Sequence, residues 1–218
     1  MQPRPPVPPY AVSVLVLTGG ASRRMGSHKP SLEVGGSSMV ARVLAAVRPR
    51  PVLVVGRPDD VPDGIPVLVE SPSGGGPVAA IAAGLARLTE AADATSTDAT
   101  ATDATGIVVV LAADLPFVTS AHLDRLVEAA LHPLPSPGAA VTTDATGRVN
   151  WLCSAWRRSV LVAALERLGD PAGRSMRDLA SGLRPVEVAD VDGVADDVDT
   201  PSDLEQARRR HGGEGSPT

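Results

Sequence analysis

Residues 11–20 read AVSVLVLTGG, a near-continuous apolar run that breaks directly into paired glycines, and this stretch decides the fold. A strand buried on both faces needs no polar residue at alternate positions, so it reads as an unbroken apolar run. A second run of this kind, IVVVLAA at 107–113, is followed by Asp114-Leu115-Pro116. Between and after them the pattern alternates. Helical spacing over 37–47 is followed by strands at 51–55 and 66–69, then by a helix at 77–88 that opens on Pro77. Pro suits a first helical turn because its missing N–H has no partner there anyway. A helix over 120–131, strands at 139–142 and 149–154, helices near 157–168 and 175–179, a strand at 185–188 and a helix at 202–210 complete the series. Strands alternating with helices predict βαβ units and a mostly parallel sheet. The expectation is one α/β domain, Rossmann-like and three-layered, over residues 11–208.

At 218 residues the chain is long enough for one such domain and short for two. One Phe, one Tyr and two Trp leave Ala, Val and Leu to fill the interior. So few rings exclude a stacking platform for single-stranded nucleic acid. A net charge of −5 and an isoelectric point near 5.3 argue against a duplex-binding footprint. A pocket for a small anion remains open, because local charge can differ in sign from the total. The single cysteine, Cys153, excludes an internal disulfide and reads as a small buried hydrophobe. No apolar run suits a signal peptide or a membrane span, which makes a cytoplasmic protein the expectation.

Three stretches read as unstructured. Residues 1–10 form a Pro-rich tail, and residues 209–218 a polar tail that contains glycine. Residues 90–106 read EAADATSTDATATDATG, with Asp-Ala-Thr recurring from Asp93, Asp98 and Asp103. A five-residue repeat of small polar groups matches neither helix nor strand period, so a mobile surface loop is expected there.

Chemistry concentrates where the first strand ends. Open α/β sheets place ligands outside the carboxyl ends of their strands. There the chain runs Thr18-Gly19-Gly20-Ala21-Ser22-Arg23-Arg24-Met25-Gly26-Ser27-His28-Lys29. Paired glycines let backbone N–H groups approach a phosphate, and Arg23, Arg24 and Lys29 set three cations within seven residues. Neither a GxxxxGK[ST] loop nor a GxGxxG fingerprint is present. A plain glycine turn with solvated arginines is the competing reading. Asp114, at the end of the second buried strand, suits a hard cation such as Mg²⁺, and equally suits a loop or helix-capping role. Thr200 before Pro201 is a natural helix N-cap.

The loop resembles the signature of the MobA-like nucleotidyltransferases, Leu-Ala-Gly-Gly-x-Ser-x-Arg-Met-Gly-x-Asp-Lys. This chain carries Thr18 for the Ala and His28 for the Asp. Asp114-Leu115-Pro116 is similar to the family's Asp-x-Pro strand end, and Asp199-Thr200-Pro201-Ser202-Asp203-Leu204 to its [Asn/Asp]-Thr-Pro-x-Asp-Leu motif. Together the matches cover most of residues 11–207. The resemblance implies a fold of the nucleotide-diphospho-sugar transferase type. It implies transfer of GMP from GTP to the phosphate of molybdopterin (or Mo-molybdopterin), with release of pyrophosphate. Arg24, Lys29 and Asp114 are then the expected catalytic residues. Leu17, Thr18, Gly19, Gly20, Lys29, Glu70 and Asp114 are expected at the nucleotide, Glu70 standing where the family has Asp. Backbone N–H groups from Thr18 to Ala21 are expected on the pyrophosphate side. Asp114 and Asp199 are the expected ligands of Mg²⁺. Trp151 and Trp156 fall where the family binds its pterin, with sheet packing as the other reading. Gly19-Gly20 favours GTP, as cytidylyl-transferring relatives tend to carry Ala-Gly. A CTP-dependent enzyme, transfer to another phosphorylated acceptor and a catalytically silent nucleotide-binding relative are the alternatives. Transient contacts with other molybdenum cofactor biosynthesis proteins are also implied.

Overall fold

Val12–Leu17 forms the central strand β1, flanked on both sides by parallel partners. A computed structural model describes residues 11–19, 29–69, 74–95, 106–131 and 138–213. After β1 come a 3₁₀ turn (Lys29–Ser31), a hairpin of β2 (Glu33–Val34) and β3 (Ser37–Ser38), and α1 (Met39–Val47). Then follow β4 (Val52–Val55), β5 (Val67–Leu68), α2 (Pro77–Thr95), β6 (Ile107–Ala112) and α3 (Ser120–Leu131). β7 (Ala139–Thr143), β8 (Val149–Arg157), α4 (Arg158–Leu168), α5 (Met176–Leu179), β9 (Val186–Ala189) and α6 (Pro201–Gly213) complete the chain.

Seven strands make one sheet in the order β5-β4-β1-β6-β8-β7-β9. β8 alone among them runs against its neighbours. The sheet is therefore mostly parallel and the α/β expectation holds. Successive strand residues point to opposite faces, so β1 feeds two cores. Val14 and Val16 pack with Val40, Val43, Leu44 and Val47 of α1 and with Leu123 and Leu126 of α3. Leu15 and Leu17 pack with Val78, Ile81 and Leu85 of α2 and Leu161 of α4. Burying each such side chain contributes about 1.5–3 kcal/mol relative to exposure. Helices cover both faces, as a parallel sheet requires.

Several boundaries differ from expectation, among them that of β8, which runs on to Arg157 rather than ending at 154. Ser37 and Ser38 belong to the hairpin, and Ser38 caps α1 by accepting from the Ala41 N–H. α2 continues to Thr95, six residues into the stretch read as a loop. Its extension, Glu90-Ala91-Ala92-Asp93-Ala94-Thr95, is rich in alanine, the strongest helix former, and this outweighs the repeat. The rest of that stretch, 96–105, lies outside the described residues, as do 1–10. α6 runs on to Gly213, through what read as the start of a tail. Tertiary contacts hold it. Arg208 Nε–H donates to the Glu33 carbonyl at 3.0 Å, and the Arg210 guanidinium lies 3.9 Å above the Phe117 ring. The His211 ring fills the space a Cβ would need at Gly35, where φ is +63°.

His122 ties α3 to the sheet. Thr142 Oγ1 donates its hydrogen to the Cys153 carbonyl at 2.9 Å, so the 2.7 Å contact with His122 has Nε2–H donating. Arg125 donates to Nδ1 at 2.8 Å, which fixes a neutral imidazole. Burial, then the Arg125 charge, lowers the His122 pKa to about 4, against a smaller opposing pull from Asp190. The unfolded chain titrates near 6.5, so it binds the extra proton between these values, and stability falls as pH drops through that window. Between pH 7 and pH 4.5 the wild type should lose about 2 kcal/mol more than His122→Gln in urea unfolding. Parallel pH profiles for the two proteins would contradict this assignment.

Candidate active site

β1 leads through α1 to β4 on one side, and the chain later returns to β6 on the other. That reversal opens a crevice at the carboxyl ends of β1 and β6, where open α/β sheets take ligands. Leu17 pairs with Ala112, and the Ala113 N–H donates to the Leu17 carbonyl at 3.0 Å. The exit of β1 at Thr18-Gly19 therefore lies beside the exit of β6 at Asp114. Sequence reading placed the phosphate loop and the carboxylate at these two strand ends, and the fold makes those ends neighbours.

A third segment joins them. The Val198 N–H donates to the Asp114 carbonyl at 3.2 Å, which brings Asp197-Val198-Asp199 alongside the end of β6. Val198 is buried against Val34, Met39, Leu204 and Ala207, so its neighbours Asp197 and Asp199 flank an anchored side chain. Burial raises the Asp197 pKa above the usual carboxylate range, and the Asp199 and Asp114 charges and an Asp199 hydrogen bond add to it. Arg148, 3.7 Å away, pulls the other way. The sequence alone assigns Asp197 no role. Its alternation with Asp199 about an apolar Val198 was the available signal.

The segment is then locked by a reciprocal cap at the start of α6. The Asp203 N–H donates to Thr200 Oγ1 at 3.2 Å, while Asp203 Oδ2 accepts from the Thr200 N–H at 2.8 Å and the Asp199 N–H at 3.1 Å. Thr200 is the N-cap its sequence indicated, and Asp199 is held beside Asp197.

The Thr18 N–H is not available as the phosphate donor expected of it. It donates to the Val55 carbonyl at 3.0 Å, so that donor is used within the sheet. The Thr18 hydroxyl donates to the Arg57 carbonyl at 2.8 Å, and the residue is only 2% exposed. Backbone donors for a ligand therefore begin at Gly19. Leu17 closes the strand, almost buried in the α2 face, and Gly19 is exposed at the crevice. Lys29 opens the 3₁₀ turn. Gly20, Arg23, Arg24, His28 and Glu70 lie outside the described residues, as does the side chain of Lys29.

The two tryptophans separate. Trp156 is fully buried in the α2/α4 core, with Nε1–H donating to Ser154 Oγ at 2.9 Å, so packing is its role. Trp151 is half-buried nearer the crevice end of β8, its ring centroid 6.3 Å from that of Trp156. Cys153 is buried, and burial pushes its thiol up to about 12, which leaves it inert.

Among the described residues no three His, Cys, Asp or Glu side chains are arranged to hold a metal by themselves. Mg²⁺ does not need such a cage: it commonly takes one or two carboxylates, several waters and substrate phosphates. Asp114 and Asp199 supply hard oxygen donors of that kind, and the like charges meeting at Asp197 are ones a cation would offset.

A glycine loop and a carboxylate at adjacent ends of a parallel sheet define a nucleotide-handling α/β enzyme. The chain belongs to the MobA-like NTP transferase family, whose model matches residues 14–186. It is 29% identical over 204 residues to the molybdenum cofactor guanylyltransferase of Rhodobacter capsulatus, covering 91% of this chain and 96% of the relative. The molybdopterin-guanine dinucleotide biosynthesis protein A of Archaeoglobus fulgidus superposes with a TM-score of 0.70 at 21% identity, over 92% of this chain and 99% of that one. The 2-C-methyl-D-erythritol 4-phosphate cytidylyltransferase of Thermus thermophilus gives a TM-score of 0.59 at 26% identity, over 92% and 98%. The protein is a nucleotidyltransferase by family.

Proposed function

We propose that the protein transfers GMP from GTP to the phosphate of molybdopterin, with or without bound molybdenum, releasing pyrophosphate. The observation that carries the reading is full-length similarity to a guanylyltransferase of that name, joined to the Gly19-Gly20 loop. The acceptor is a phosphate monoester dianion and already nucleophilic, so no side chain need remove a proton from it. An acceptor oxygen bonds to the α-phosphorus as the bond from that phosphorus to the bridging oxygen breaks, and pyrophosphate carries away the electron pair.

The chain must then align the two phosphates and offset their charge. Backbone N–H groups from Gly19 onward, with Gly20, would receive phosphate oxygens, and the Arg24 and Lys29 cations would neutralise the leaving pyrophosphate. Leu17 and Gly19 would border the base, with Glu70 touching the nucleotide. Asp114 and Asp199 would hold Mg²⁺, which when bound supplies positive charge to the phosphate oxygens. A cytoplasmic setting and transient contacts with other molybdenum cofactor biosynthesis proteins belong to the same proposal. No helix of the described residues is long and apolar enough to cross a membrane.

The similarity to a cytidylyltransferase favours one second reading, cytidylyl transfer to a phosphorylated acceptor. Thermal shift with GTP and with CTP, each with Mg²⁺, separates the two. GTP is expected to raise Tm by several degrees at ligand concentrations about 100-fold above Kd, where binding adds about 2.7 kcal/mol. Stabilisation by CTP alone would overturn the guanylyl assignment.

A further inference from the structure

We propose that Thr18 is a positioning residue, a brace that sets Gly19 against the exit of β4. The inference rests on the nucleotidyltransferase reading and concerns a position where the family signature has alanine and this chain has a hydroxyl. Three contacts converge there. The Thr18 N–H donates to the Val55 carbonyl at 3.0 Å, continuing the β1–β4 ladder one residue past the strands. Oγ1 reaches over to the Arg57 carbonyl at 2.8 Å, with the Val55 carbonyl 3.5 Å away. Between them Gly56 adopts φ +123°, a conformation L side chains rarely take. A Cβ at Gly56 would sit 2.5 Å from the Gly19 nitrogen and 2.8 Å from Thr18 Oγ1. The Gly56 backbone is thus packed directly on the first residue of the paired glycines.

The consequence is mechanical. Gly19 is exposed and directly follows the last residue of the β1–β4 ladder, and the space a Cβ would take at Gly56 abuts its nitrogen. Removing the Thr18 hydroxyl loses the tie to the Arg57 carbonyl while β1 and its ladder stay intact. The position of Gly19 then has to be fixed when nucleotide binds, which weakens ground-state and transition-state binding alike. Such a loss raises KM and leaves kcat in place.

The test is isothermal titration and steady-state kinetics on Thr18→Val, which keeps the shape and removes the donor, beside Thr18→Ser, which keeps the donor. The nucleotide used is whichever of GTP and CTP stabilises the wild type, so an error in base assignment leaves the test intact. Thr18→Val is expected to raise nucleotide Kd and KM about 3- to 10-fold, the scale of one net hydrogen bond, with kcat within about twofold. Thr18→Ser is expected to restore wild-type Kd. Gly56→Ala, which retains the hydroxyl but presses on Gly19, should raise Kd in the same direction. Unchanged Kd in Thr18→Val with a lowered Tm would reduce Thr18 to scaffold and overturn the proposal. So would a weakened Kd that Thr18→Ser fails to restore. A wild type that binds neither nucleotide overturns the parent reading and the brace with it.

Discussion

Asp114→Ala should lower nucleotidyl transfer by at least about 10²–10³-fold, the scale of losing one preorganised electrostatic contact in an active site. Its unfolding midpoint should stay close to that of the wild type. The carboxylate stands just beyond β6, in a turn whose backbone is independently held by the Val198 N–H on the Asp114 carbonyl, so the side chain can go without the loop. Lys29→Ala should fall as far. It opens the 3₁₀ turn ahead of the hairpin, and its loss removes a cation that the phosphates need rather than a core group. Near-normal turnover in either variant would remove that residue from the site. Loss of activity accompanied by loss of cooperative unfolding would assign it to the scaffold instead.

Trp156→Ala should have the largest effect on stability, about 3–5 kcal/mol, because a fully buried indole leaves both a cavity and a lost transfer term. For a protein of this size that corresponds to a fall in Tm of roughly 6–20 °C. The indole N–H partner, Ser154 Oγ, already donates to the Trp151 carbonyl, so no polar group is stranded by the change. Trp151→Ala should cost visibly less, since that ring keeps part of its surface in water. Chemical unfolding of the two variants side by side checks this. Equal losses would contradict the division between a core tryptophan and one near the crevice.

The fold was legible because two buried parallel strands have a distinctive composition. AVSVLVL and IVVVLAA became β1 and β6, side by side, and their ends carry Thr18-Gly19 and Asp114. The cap at Thr200 was legible, since Thr200-Pro201 states a helix start locally. What escaped is non-local. The end of α6 is polar and contains glycine, yet it is held by Phe117 and the Glu33 carbonyl, both far away along the chain. Asp197 joins Asp114 because Val198 docks beside the end of β6, a contact between segments far apart in the chain. Thr18 reads from sequence only as a substitution for the signature's alanine. Its hydroxyl acquires a task only once β4 lies beside β1, bringing Gly56 and Arg57 against the loop.

The central claim is the reaction itself, and pyrophosphate release tests it most directly. Wild-type protein with molybdopterin, GTP and Mg²⁺ should release pyrophosphate in step with formation of the guanine dinucleotide, and substitution of CTP should give little. Release that requires CTP, or no release with GTP and a competent acceptor, would contradict the account.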